Sequence, residues 1–157
     1  MNYIDSLISN CEIARKTIPI SEFELQDLEV LDGIGKAIYI VEEIKGDVKK
    51  TFTDFSKFKE SEKKIVKGRK CPKLNKPSKI MYVGSSVTNI RKRIEQHKGL
   101  GYPGTYALHL GYWFKGSYKI TIKEYKASLS KEVLQIIEDS LSYDLSPAFG
   151  KKGGNNK

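Results

Sequence analysis

Cysteine is nearly absent from this 157-residue sequence: Cys11 and Cys71 are the only two, and they stand far apart. Without a CxxC pair or a cluster of partners they exclude a disulfide framework, a dithiol redox site and a cysteine-built zinc cluster, and they read as reduced thiols. No apolar run is long enough to cross a bilayer. The opening Met1-Asn2-Tyr3-Ile4-Asp5 has neither the basic start nor the apolar stretch of a secretory leader, so a cytoplasmic protein is expected. There is no GxxxxGK[ST] loop, HExxH pair or GxSxG elbow, which leaves nucleotide-hydrolysing, zinc-protease and serine-hydrolase chemistry without an anchor. Gly99 to Gly104 formally matches GxGxxG, but it follows a helical pattern and contains Pro103, so a dinucleotide site is set aside. No repeat or heptad period is found.

What remains suits one domain over 1–157 with one modest core. Apolar residues at Ile4, Leu7, Ile8, Cys11 and Ala14 recur at helical spacing, predicting a helix from Tyr3 to Lys16 that packs as a lid on the core. It belongs to a helical extension over 1–32. Ala37-Ile38-Tyr39-Ile40-Val41 reads as a strand, Ile80 to Val83 as a second, and Tyr118 to Tyr125 as a third. Helices are expected from Thr88 to Lys98, from Tyr106 to Phe114, and after an N-cap at Ser130, with a loose tail over 150–157. The tally predicts an α+β fold, with three short strands and helices beside them.

Charge is unevenly placed. Lysine and arginine outnumber acids 28 to 19, giving a net charge of +9. The stretch 45–79 holds thirteen of those cations and only four acids, an excess equal to that of the whole chain. The basicity is therefore local, in an insertion between the first two strands. Within it Lys63, Lys64, Lys67, Arg69 and Lys70 are the candidate nucleic-acid contacts of a duplex-gripping arm, the plain alternative being a solvated loop. Phe52, Phe55 and Phe58 at three-residue spacing read as a small helical or satellite hydrophobic cluster, the alternative being a wedge against bases.

Five residues could carry chemistry. Tyr39 and Tyr82 lie on strands, where single tyrosines usually fill core space. On the middle helix Ile90 and Ile94 mark the buried stripe, with His97 beside them and Arg93 at the edge. Glu138 lies at the margin of the apolar arc of Val133, Leu134, Ile137 and Leu141. His109 reads as structural.

Ala37-Ile38-Tyr39 followed by Tyr82-Val83-Gly84 resembles the paired tripeptides of the GIY-YIG nuclease family. Arg93 with His97, Glu138 with Leu141, and Pro147-Ala148-Phe149 resemble its later motifs, so the likeness covers about Ala37 to Phe149. Ala37 stands where the family has glycine, the spacer between tripeptides is long, Arg91 competes with Arg93 for the motif arginine, and Gly150 stands where an asparagine is frequent. Asn155 or Asn156 is the candidate for that missing role.

The resemblance implies a three-stranded antiparallel sheet flanked by helices, and a metal-dependent endonuclease hydrolysing DNA phosphodiester bonds. It implies one Mg2+ or Mn2+ ion on Glu138, Tyr39 handling the attacking water, Tyr82 bonding nearby, Arg93 gripping phosphate, and His97 relaying a proton or holding the phosphate. DNA, as duplex, is the expected partner; a homodimer is left open and no membrane partner is expected. A restriction-type enzyme suits so compact a chain. A repair or mobile-element nuclease, an RNA-cutting enzyme and a catalytically inactive nucleic-acid-binding protein of the same fold stand as alternatives.

Overall fold

The computed structural model describes residues 2–150. The expectations for residues 151–157, including Asn155 and Asn156, lie outside the described residues. The described residues form four α-helices and four strands, besides two short 3₁₀ turns: α1 (Tyr3–Lys16), β1 (Ser21–Glu24), β2 (Lys36–Lys45), α2 (Val48–Lys63), β3 (Ile80–Ser86), α3 (Ile90–Lys98), β4 (Ser117–Tyr125) and α4 (Lys131–Leu145). The class is α+β, as the sequence predicts. The sheet is antiparallel, but it has four strands in the order β1-β4-β2-β3 rather than three. The additional strand comes from the N-terminal extension, where Ser21 to Glu24 pairs with β4 through Phe23 opposite Ile122.

β2 is one of the two inner strands, and because a core cluster packs on each of its faces its run Ala37 to Val41 is buried throughout. Ala37, Tyr39 and Val41 point to one side, into a core shared with Phe55, Ile90, Ile94, Leu108 and Ile122. Ile38 and Ile40 point to the other side and meet Leu134 of α4, with Ile137 and Leu141 around them. This alternation decides which face each motif residue serves.

Three further expectations are corrected. The segment from Tyr106 to Phe114 is no helix; it is irregular, with one short 3₁₀ turn at Leu110–Tyr112 preceded by His109 at φ +51°. Its polar backbone is used across the fold, the Leu108 amide donating to a His97 ring nitrogen and the Leu108 carbonyl accepting from the Trp113 indole. The fourth helix is α2, inside the basic insertion. It starts at Asp47, whose carboxylate caps the amides of Lys49 and Lys50. Its Phe55 is fully buried against Phe149 and Trp113, with centroids 4.4 and 4.9 Å away. Finally, α1 covers none of the core: it has no buried residue and rests on the outside of α4.

Candidate active site

The β2–β3 register sets Tyr39 opposite Gly84 and Val41 opposite Tyr82. Residues two apart on a strand share a face, so Tyr82, Gly84 and Tyr39 all look toward α3. The two phenol rings lie nearly parallel, 9° apart with centroids at 6.1 Å. Gly84 makes this possible. A Cβ there would stand 2.5 Å from Tyr39 Cζ and 2.9 Å from Tyr82 Cε1, so any side chain would displace one ring or the other. β3 continues through Gly84 to Ser86, beyond the expected end at Val83.

α3 begins at Asn89, whose side chain accepts from the Lys92 amide, and ends at Gly99 in the left-handed region. The formal glycine motif is thus a helix terminator. Ile90 and Ile94 anchor α3 to the core, and the same stripe carries His97 inward to 0% exposure. Its Nε2 is 2.9 Å from Tyr39 Oη, and its Nδ1 accepts from the Leu108 amide at 3.1 Å.

An amide can only donate, so Nδ1 carries no proton. Burial, reinforced by the charge of Arg93 and by His109, holds the His97 pKa well below 6.5 and the ring neutral. A neutral imidazole with a bare Nδ1 must carry its proton on Nε2, which therefore donates to the Tyr39 oxygen. His97 has no lone pair free to take a proton from Tyr39, and its burial keeps it from a phosphate. Its position suits orienting Tyr39 instead of the expected relay.

Arg93 is the arginine that reaches the phenols. It donates to Tyr82 Oη at 3.3 Å and to Gln96 Oε1 at 3.1 Å. Arg91 turns away to Asp32, 2.8 Å off.

Glu138 stands on α4, on the other face of the sheet from the tyrosine rings. α4, capped by Ser130 on the Val133 amide, packs on the side of Ile38 and Ile40. The 147–150 segment covers the first half of the β3 edge, with the amides of Ala148 and Phe149 donating to the carbonyls of Ile80 and Met81. Glu138 approaches the second half, beside Ser85. Its Oε2 accepts from Gln135 Nε2 at 2.7 Å, an amide shared with Asp139 at 2.9 Å. Burial raises its pKa above the usual carboxylate value, against the hydrogen bonding of Ser85 and Gln135 and the charge of Arg93. The coupling runs across the edge strand: Tyr39 is raised above 10.0 chiefly by burial and then by Tyr82 and Glu138, while Arg93 pulls it down. In the free protein Tyr39 is a neutral phenol.

Among the described residues no three histidine, cysteine, aspartate or glutamate side chains converge as a cation cage. A single carboxylate fits a different kind of ion, a hard one that retains most of its water and takes its remaining oxygens from a phosphate. Glu138, at the protein's side of such a shell, is the residue that would hold it.

The basic candidates fall outside the tyrosine cluster. Lys63, Lys64, Lys67 and Lys70 are exposed around the turn that follows α2. Arg69 is internally engaged, its guanidinium 3.9 Å above the Tyr112 ring and bonded to the Gly101 carbonyl and the Tyr112 hydroxyl. His109 is buried and donates Nε2–H to the Lys70 carbonyl at 2.9 Å, a structural role.

The chain matches no protein-family model, no curated protein and no solved structure. Four participants in the site carry no motif resemblance: Gln96, Gln135, Ser85 and the Leu108 amide. Gln96 and Gln135 stand one helical turn from Arg93 and Glu138, a spacing that could have revealed them. The Leu108 amide lies in an irregular segment and had no sequence signal.

Proposed function

We propose that the protein is a metal-dependent endonuclease of GIY-YIG type that hydrolyses DNA phosphodiester bonds. The observation that carries this reading is the convergence of Tyr39, Tyr82, Arg93 and His97 in one bonded cluster to which the charge of Glu138 is coupled. Residues far apart in sequence, on two strands and one helix, meet there in the combination that the motif resemblance names, with Glu138 on α4 felt through its charge.

Hydrolysis of a phosphodiester requires a placed water, neutralisation of the non-bridging oxygens and a stabilised leaving oxygen. Arg93 is suited to the oxygens, since its planar fork can hold two at once. Tyr39 holds the water. Its oxygen accepts from His97 Nε2–H, so the phenol is oriented by a ring that does not itself change charge. As a neutral phenol it places the water without deprotonating it, the proton released on attack passing to a phosphate oxygen or to solvent. Tyr82 accepts from Arg93 at 3.3 Å and so helps to fix the guanidinium. A magnesium or manganese ion on Glu138 would supply positive charge to the phosphate and cancel the carboxylate's upward push on the Tyr39 pKa.

The test is incubation of supercoiled and linear duplex DNA with magnesium or manganese, comparing wild type with Glu138→Ala. Wild type should nick or cut, and the variant should lose activity on the order of 10³-fold. Equal cleavage by both removes the mechanism. A second reading, DNA binding without cleavage, draws on the 1% exposure of Tyr39. It predicts salt-sensitive binding and no product with any metal. A parallel arm with RNA decides the substrate. A single defined cut in a mixed plasmid marks a restriction-type enzyme, and cutting only at branched or damaged DNA marks a repair enzyme.

A further inference from the structure

The turn after α2 has a composition that its own fold does not explain. Residues 63–70 read Lys-Lys-Ile-Val-Lys-Gly-Arg-Lys, and the two apolar residues sit at the tip: Ile65 is 55% exposed and Val66 90%. Lys63, Lys64 and Lys67 flank them and are also exposed. Exposed apolar residues are ordinary one at a time. An adjacent pair at an apex, ringed by cations, is a different arrangement, because the cations repel one another and the apolar groups gain nothing from water.

The turn is also firmly built. The Gly68 amide donates to the Ile65 carbonyl at 3.0 Å, and Lys67 sits at φ +63°. A Cβ on Gly68 would run into the Glu62 carbonyl oxygen, so only glycine closes the turn. The Glu62 carboxylate accepts the Arg69 amide at 3.0 Å, and Arg69 is clamped to Gly101 and Tyr112. The tip is thus held out by a fixed base. That base is tied to the tyrosine cluster: the Lys70 carbonyl accepts from His109 and from the Ala107 amide, and the next residue, Leu108, sets the His97 ring. Beside the turn lies a cavity of about 430 Å³ whose walls include Lys59, Glu62, Lys63, Lys70 and Tyr106, so three lysines outnumber one carboxylate that is already held by the Arg69 amide. Lys70 Nζ stands 5.6 Å from the Tyr106 ring centre.

We propose that the 63–70 turn is the DNA-docking element. Lys63, Lys64 and Lys67 contact phosphates, and the Ile65-Val66 tip seats in a groove against base edges and sugars, as apolar wedges do when flanked by cations. The flanking cavity takes a backbone phosphate of the same strand. This rests on the nuclease reading and deepens it, because the rigid link from the turn to Leu108 fixes where the duplex lies relative to Tyr39.

The experiment measures binding of the full chain to a duplex of about twenty base pairs by fluorescence anisotropy, in chelator and over a range of salt. A 2-aminopurine in the duplex reports unstacking. Wild type is compared with the triple variant Lys63→Gln, Lys64→Gln, Lys67→Gln and with Ile65→Ser, Val66→Ser. All these side chains are exposed, so unchanged melting temperatures serve as the folding control.

The triple variant should flatten the slope of log K against log salt by about two to three units, at roughly 0.9 for each phosphate no longer neutralised. The tip variant should keep the wild-type slope, bind about tenfold more weakly at every salt concentration and lose the 2-aminopurine signal. A wild-type slope in the triple variant, or wild-type affinity in the tip variant, overturns the proposal. So does tip-dependent binding to anionic lipid vesicles with none to DNA. The outcomes separate from those of the nuclease test: turn-dependent DNA binding by a protein that cuts nothing sustains this inference and removes the enzyme. Cleavage that the triple variant leaves intact at every salt concentration does the reverse.

Discussion

His97 is committed at both ring nitrogens, and this fixes its chemistry more tightly than its identity as a histidine does. With Nδ1 accepting from the Leu108 amide and Nε2 donating to Tyr39, nitrogen-15 NMR should show the Nε2–H tautomer, unchanged between about pH 5.5 and 8. An imidazolium at pH 6 would sink the assignment. On the nuclease proposal, His97→Phe should lower kcat about a hundredfold with KM little changed, because the ring is fully buried behind Tyr39. It should also cost about 1–3 kcal/mol by leaving the buried Leu108 amide without a partner. Gly84 is equally constrained. Gly84→Ala forces a methyl group against Tyr39 and Tyr82, so it should destabilise by about 1–3 kcal/mol and abolish cleavage, read by thermal melting and plasmid nicking.

Among the elements, those with a strong period were legible and those fixed by distant partners were not. α1 matches its predicted limits, and Ser130 caps α4 as expected. β1 was missed because it has only four residues, alternates Ser-Glu-Phe-Glu with one half-buried side, and owes its existence to β4. The 106–114 segment carried helix-compatible residues, but its backbone groups are claimed by His97, Lys70 and Trp113. α2 was hidden by lysines, although the spacing of its phenylalanines read as a helical or satellite hydrophobic cluster. Tyr39, Tyr82, Arg93, His97 and Glu138 could be named from the motif resemblance, but that Glu138 stands beside Ser85 on the other face of the sheet from the phenols depends on the sheet's strand pairing and on where α4 packs, which a sequence does not state. The helix in the insertion can be tested at its start. Asp47→Ala removes the bonds to the amides of Lys49 and Lys50, at 3.0 and 3.3 Å, and should cost about 1 kcal/mol. That corresponds to a fall in Tm of roughly 2–4 °C, followed by calorimetry; no change would mean that the helix start is held by other contacts.

At the scale of the whole molecule, the buried titratable groups set a stability window in pH. His97 and His109 both have pKa values pushed below 6.5, each chiefly by burial. Below about pH 6.5 the unfolded chain takes up protons at these histidines that the folded chain refuses. Stability therefore falls as pH drops through that range, by up to about 1.4 kcal/mol per pH unit for each histidine. Glu138 has the opposite sign. Its pKa is raised above 4.5 by burial, so its contribution is present in acid and is lost as pH climbs through its folded value, which partly offsets the histidines at the acid end. On the alkaline side burial pushes the Cys71 thiol from 9.0 up to about 12 and raises Tyr39 above 10.0. Both are protonated when folded and ionise more readily when unfolded, so stability declines again from about pH 9. Urea melts from pH 4.5 to 10.5 should give a plateau between about 6.5 and 9 with losses on both sides. His97→Phe, compared with its own plateau, should shrink the acid-side loss and leave the alkaline side unchanged. An acid limb as steep in that variant as in wild type would place the acid sensitivity elsewhere than at the ring that holds Tyr39.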